Sequence, residues 1–208
     1  MTIGVLALQG DFDAHRRCLE ELGATVHLVR KPEQLDRVAA LVIPGGESST
    51  FLNFLERDNF WEKLRAFVRS KPAFGTCAGA ILLASEVENP VQQCLGALDI
   101  SVQRNAYGRQ LQSAIHQVET SLGGDPLELV FIRAPQIVRV GSAVTVLLRQ
   151  DGYVAAVADQ HGILATVFHP ELSDSLAFHR YFATRCGLVV RAEAPVSQAP
   201  FLAGAGRG

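Results

Sequence analysis

The sequence predicts an α/β protein with a mixed, mostly parallel central sheet and helices on both faces, a three-layer arrangement. Two observations carry this. Over roughly the first ninety positions, short runs rich in β-branched residues alternate with helical patterns, the signature of parallel strands joined by crossover helices. Beyond them, strand-like runs follow one another directly, and Asp151-Gly152 separates two of them as a hairpin turn, so part of the sheet is antiparallel.

The elements follow in order. "IGVLALQG" is a strand with a turn, and from Asp11 to Leu22 side chains recur at helical spacing, with Gly23 where a C-terminal cap belongs. "TVHLVR" is a second strand. "KPEQLDRV" has its proline near a helix start, "ALVIPGG" is a third, buried strand, and "NFWEKLRAFVRS" is an amphipathic helix. "KPAFGTC" is the next strand and "AGAILLASEV" the helix after it. "LGALDISVQRN", "QSAIHQVET", "LELVFIRAP", "AVTVLLRQDGYVAAVADQ" and "GILATVFHP" are then successive strands, and a last helix runs from about Ser173 to Arg185 and closes on Gly187. Residues 1–187 are expected to form one unit. Residues 188–208, rich in Ala, Pro and Gly with little to bury, are expected to form a flexible tail.

Composition narrows the function classes. The 208 residues include 19 Lys and Arg against 21 Asp and Glu with no basic cluster, which argues against a nucleic-acid backbone or an anionic membrane as partner. No apolar stretch approaches membrane-spanning length, and the N-terminus has no basic lead-in, so it reads as a core strand rather than a signal peptide. Cys18, Cys77, Cys94 and Cys186 form no CxxC pair, and a chain of this size does not need disulfides; a cytoplasmic location is expected.

Three stretches carry candidate chemistry. Gly75-Thr76-Cys77-Ala78-Gly79 has the form G-x-C-x-G at a strand-to-helix junction, the thiol counterpart of a nucleophile elbow. The turn strains the nucleophile's backbone, and side chains two residues to either side would meet neighbouring backbone, hence the glycines. The helix N-terminus suits a thiolate, and the N–H of Ala78 is placed to stabilise an oxyanion. A core cysteine at a tight turn fits the same residues, so partners must decide. "FHPEL" offers a base: Pro170 biases His169 toward extended backbone, where His169 and Glu171 share a face and the carboxylate can orient the imidazole. A solvated strand end is the alternative. No metal-ligand spacing occurs, and His161 and His179 read as surface or satisfied histidines. In "PGGESST" the paired glycines let backbone N–H groups approach a ligand, while Ser48, Ser49 or Thr50 can cap the next helix. A phosphate loop is disfavoured by the missing Lys and by the charge of Glu47.

Together these stretches resemble the triad glutamine amidotransferases, whose class I fold is flavodoxin-like. More closely, "GVLALQGDF", "PGGESST", "FGTCAGA", "QRNAYGRQ", "FIRAP" and "HPEL" resemble, in order and up to about Gly187, the family of glutaminase subunits of pyridoxal 5'-phosphate synthases. The resemblance implies hydrolysis of L-glutamine to L-glutamate and ammonia, no cofactor, and a (β/α)8-barrel synthase subunit that receives the ammonia. Residue by residue, it implies Cys77 as nucleophile, His169 as proton shuttle and Glu171 as its orienting partner. Gly46 and Ala78 would form the oxyanion hole, and Gly46, Glu47, Ser48, Arg104, Ile132 and Arg133 would bind glutamine. A carboxylate and guanidinium groups suit the two charges of an amino acid. Gln9 matches a position near the partner interface. Departures are Ser49 in place of the usual Thr, Ile115 and His116 in "QSAIHQ", and a missing acid before the histidine of "DFDAH". A glutaminase of another pathway and a non-catalytic binder of the same fold are the competing readings.

Overall fold

The computed structural model describes residues 1–104, 113–119 and 126–190. Residues 105–112, which include all but the first two positions of the "QRNAYGRQ" motif, residues 120–125, and residues 191–208 of the expected tail lie outside the described residues. The strands are β1 (Thr2–Leu6), β2 (Thr25–Val29), β3 (Ala40–Ile43), β4 (Ala73–Thr76), β5 (Ala84–Glu88) and β6 (Leu98–Gln103). They continue with β7 (Ser113–Val118), β8 (Leu127–Ile132), β9 (Gln136–Val140), β10 (Val144–Gln150), β11 (Tyr153–Asp159) and β12 (Ile163–Thr166). The helices are α1 (Phe12–Glu21), α2 (Ser48–Leu55), α3 (Phe60–Ser70), α4 (Ala78–Leu83) and α5 (Ala177–Arg185).

The main sheet has the order β2-β1-β3-β4-β12-β11-β9-β6-β5, with β10 paired to β11. From β2 to β12 every pairing is parallel; β11 is antiparallel to β12, β9 and β10, and β6 is antiparallel to β9. β3, β4 and β12 are buried at every position, because helices cover both faces of this half, and such strands read as unbroken apolar runs. α3 buries Phe60, Trp61, Leu64, Phe67 and Val68, a helical stripe. α1 and α5 pack on each other, as do α2 and α4. The hairpin expected at Asp151-Gly152 is present, both residues having positive φ (50° and 82°), as a type I′ turn requires. Among the described residues no helix is long and apolar enough to cross a membrane.

Four elements differ from the sequence expectation. The helix expected across "AGAILLASEV" stops at Leu83; Ala84–Glu88 instead forms β5, parallel to β6. Nothing local ends that helix, and the sheet edge offers the segment a ladder that outweighs propensity. β9, with only Ile137 buried, was hidden by its weak pattern. "KPEQLDRV" yields a 3-10 turn over Pro32–Arg37. The last helix begins at Ala177, because Ser173 and Ser175 accept backbone N–H groups in turns before it. β7 and β8 form a separate antiparallel ribbon, on which Ile115 is exposed and His116 pairs with Gln150 at 3.2 Å.

Candidate active site

β1, β3, β4 and β12 lie near one another in parallel, so the loops leaving their carboxyl ends gather at one rim. Those loops carry Gln9, Gly45–Glu47, Cys77 and His169. Open α/β sheets place their ligands at this rim.

Cys77 has φ 47° and ψ −104°, a strained conformation for a residue with a side chain, and its N–H donates to the carbonyl of Thr166 at 2.9 Å. The flanking glycines have the steric reason the motif suggested. A Cβ on Gly75 would lie 2.5 Å from the backbone of Gly79, and one on Gly79 would lie 2.0 Å from the carbonyl oxygen of Ile43. The thiol is 6% exposed and points toward the Ile132 carbonyl, 4.0 Å away. Ala78 follows as the first residue of α4 and is buried.

His169 is fixed through its N–H, which donates to Val130 O at 2.8 Å. The segment after it is not extended as expected: Pro170–Leu172 winds into a 3-10 turn closed by Leu172 N–H on His169 O at 3.2 Å. The turn still brings Glu171 under the ring, with Oε1 2.8 Å from Nδ1. The ring also contacts the Cys77 thiol. Burial pulls the His169 pKa down, but hydrogen bonds to the Cys77 sulfur and the Glu171 carboxylate outweigh it and leave it raised to about 10. Burial pushes the Glu171 carboxyl up; the charge and close contact of His15 and the bond from His169 reverse this and hold it well below the usual carboxylate range. Sulfur, imidazole and carboxylate therefore form one line, in which the ring is held protonated and the carboxylate ionised.

A cavity of about 190 Å³ opens beside the sulfur, lined by Cys77, His169, Gly46, Glu47, Ser48, Arg104, Ile132 and Arg133, with Ile81 and Pro135 in addition. All six positions expected to bind glutamine thus face one space. Glu47 also caps α2: its carboxylate accepts from Ser49 N at 3.1 Å, from Thr50 N at 2.8 Å and from Thr50 Oγ1 at 2.9 Å. Of the residues expected to cap this helix, Ser49 and Thr50 are instead recipients of the cap, and Ser48 is the helix's first residue. Slight burial raises the Glu47 pKa, and these bonds more than offset it, leaving the carboxyl lowered. Arg104 Nη2 stands 3.3 Å from the same carboxylate, and Ser48 donates to Gln92 at 2.8 Å. Gln9 brackets the loop, its amide nitrogen donating to Glu47 O at 2.5 Å and its carbonyl accepting from Glu47 N at 3.4 Å; Gly46 between them has φ 142°.

The sequence reading missed Gly45, which packs against both His169 and Cys77. It missed Ile81 and Pro135, although Ile81 is one helical turn past Cys77 and Pro135 ends the "FIRAP" motif. It also missed His15, which lies behind Glu171 at 3.3 Å. Of the two histidines read as surface or satisfied, His161 is exposed and His179 is wholly buried with His15 as its partner. Among the described residues no group of His, Cys, Asp and Glu could hold a metal ion.

Comparison with known proteins shows the family. A chain from Koribacter versatilis (strain Ellin345), described as pyridoxal 5'-phosphate synthase subunit PdxT, is 60% identical over 88% of this chain and 94% of its own. A chain of the same description from Thermotoga sp. (strain RQ2) is 48% identical over 88% of this chain and 97% of its own. A solved structure described as a glutamine amidotransferase superposes with a TM-score of 0.82 at 42% identity, covering 89% of this chain and 99% of its own. The SNO glutamine amidotransferase family matches residues 5–188, and the chain belongs to that family.

Proposed function

We propose that this chain is the glutaminase subunit of a pyridoxal 5'-phosphate synthase, hydrolysing L-glutamine to L-glutamate and ammonia in the cytoplasm. The ammonia passes to a (β/α)8-barrel synthase subunit. The observation that carries this is the line of Cys77, His169 and Glu171 beside a cavity whose walls hold one carboxylate and two guanidinium groups.

The sulfur of Cys77 attacks the side-chain carboxamide carbon, and the N–H groups at Gly46 and Ala78 receive the oxyanion. His169, protonated by virtue of its raised pKa, gives its proton to the departing nitrogen, and ammonia leaves behind a glutamyl thioester. The ring, now neutral, takes a proton from water; the resulting hydroxide adds to the thioester carbonyl and releases glutamate. Arg104 and Arg133 suit the substrate α-carboxylate and Glu47 its α-ammonium. All four lone-pair positions of the Glu47 carboxylate are in use, and the 3.3 Å contact with Arg104 is the longest. The incoming ammonium therefore takes the place of Arg104, which frees that guanidinium for the carboxylate.

The test is glutamine hydrolysis with and without the barrel subunit. Cys77→Ala is expected to abolish hydrolysis in the complex, and His169→Asn to lower kcat by a comparable factor. Glu171→Gln costs roughly 10- to 100-fold less than either, because it orients the base rather than transferring the proton. Ammonia release by Cys77→Ala at the parental rate would overturn the assignment.

A further inference from the structure

A second set of polar side chains lies behind the catalytic line, wholly buried and without access to the cavity. His15 of α1 and His179 of α5 are 0% exposed, as is Thr76, the residue before the nucleophile. His15 Nδ1 lies 2.8 Å from His179 Nε2, and His15 Nε2 lies 3.2 Å from Thr76 Oγ1 and 3.3 Å from Glu171 Oε2. Glu171 thus has one histidine at each oxygen: His169 on Oε1 and His15 on Oε2.

We propose that His15 is a positioning residue for the glutaminase reaction, fixing the plane of the Glu171 carboxylate through Oε2 so that Oε1 stays aimed at His169. This rests on the glutaminase reading above. The terminal torsion of a glutamate is broad and two-fold, so a carboxylate held at one oxygen can rock; a second donor at the other oxygen removes that freedom. Oε2 is buried and has no aligned hydrogen bond, which makes the His15 contact the compensation for its charge.

The proton inventory makes His15 a donor on that side. The Glu171 carboxylate, held ionised, can only accept, so the nitrogen that faces its Oε2 at 3.3 Å must supply a hydrogen. His15 Nε2 therefore carries a hydrogen, shared between Thr76 and Glu171. This holds whichever way the proton lies between His15 and His179. Burial first, and then the charge of His15, press the His179 pKa down to about 3, so that ring stays neutral and serves as the partner for His15 Nδ1. The same threonine ties the network to the nucleophile turn. Cys77, His169, Glu171, His15 and His179 form one continuous chain of contacts from solvent-facing cavity to core.

The experiment is steady-state glutamine hydrolysis in the complex with the synthase subunit, comparing His15→Phe, His15→Asn and His15→Gln. Gln can present an amide nitrogen near the Nε2 position and Asn only near Nδ1. His15→Phe and His15→Asn are expected to lower kcat on the order of 10- to 100-fold with KM for glutamine nearly unchanged, and His15→Gln to recover most of it. If His15→Phe fails to fold, the Gln and Asn pair decides. Parental kcat in the Asn variant, or equal loss in Asn and Gln, overturns the proposal, since a packing role does not distinguish the two amides by reach. A parental complex that releases no ammonia from glutamine would instead overturn the glutaminase reading.

Discussion

A methyl group on Gly45 would stand 2.3 Å from Cε1 of His169 and 3.3 Å from Cβ of Cys77. The lack of a side chain there lets the His169 ring and the Cys77 side chain touch, a role distinct from the backbone freedom used by Gly46 at φ 142°. Gly45→Ala is therefore expected to leave the chain folded, since the ring can turn toward the cavity, yet to lower kcat in the complex by about a hundredfold through displacement of His169. Circular dichroism and hydrolysis on the same sample check both halves. At this scale the residues with local motifs were legible in the sequence. Cys77 announces itself by its glycines and His169 by the proline after it. Gly45 and His15 do not, because what makes each matter is a neighbour distant in sequence. His15 did leave a trace: it occupies a buried-stripe position with Ala14, Cys18 and Leu19, where a histidine needs partners.

The junction of α4 with its strands shows how the elements constrain the site. Gly79 lets α4 lie against β3, where a Cβ would meet the Ile43 carbonyl oxygen at 2.0 Å, backbone that cannot yield cheaply. Gly79→Ala is expected to destabilise the fold by about 3 kcal/mol, read as a lower urea midpoint with an unchanged slope. The sequence showed that a helix starts after Cys77, from the glycines and the apolar run, but not that it ends after six residues. That end depends on β5 pairing with β6, a contact no local signal encodes. α1 and α5 are similar in kind. Each has a histidine in its buried stripe, His15 and His179, and only the packing of the two helices makes them partners at 2.8 Å.

For the molecule as a whole, an imidazole held protonated at His169 and a carboxylate held ionised at Glu171 each have a pH consequence. With the His169 pKa raised to about 10, hydrolysis by the complex is expected to persist through neutral pH and to fall as pH rises through about 10, where the ring loses the proton it gives to the leaving nitrogen. A pH profile of kcat/KM reads this limb. Glu171 has the opposite sign: its folded pKa is depressed below 4.5, so its stabilisation is present above that value and is lost as pH falls below it. The stability gap between the parental chain and Glu171→Gln should narrow by about 1.4 kcal/mol per pH unit below 4.5, measured by urea unfolding. By itself the sequence determined the alternation of strands and helices, the nucleophile turn and the family, because these rest on local periodicity and on motifs contiguous in the chain. Only the tertiary structure decided which groups stand at each oxygen of Glu171, where α4 gives way to β5, and that Gly45 must be bare. Those outcomes depend on distances between segments far apart in sequence, which are set when the strands align their carboxyl ends and the helices close over them.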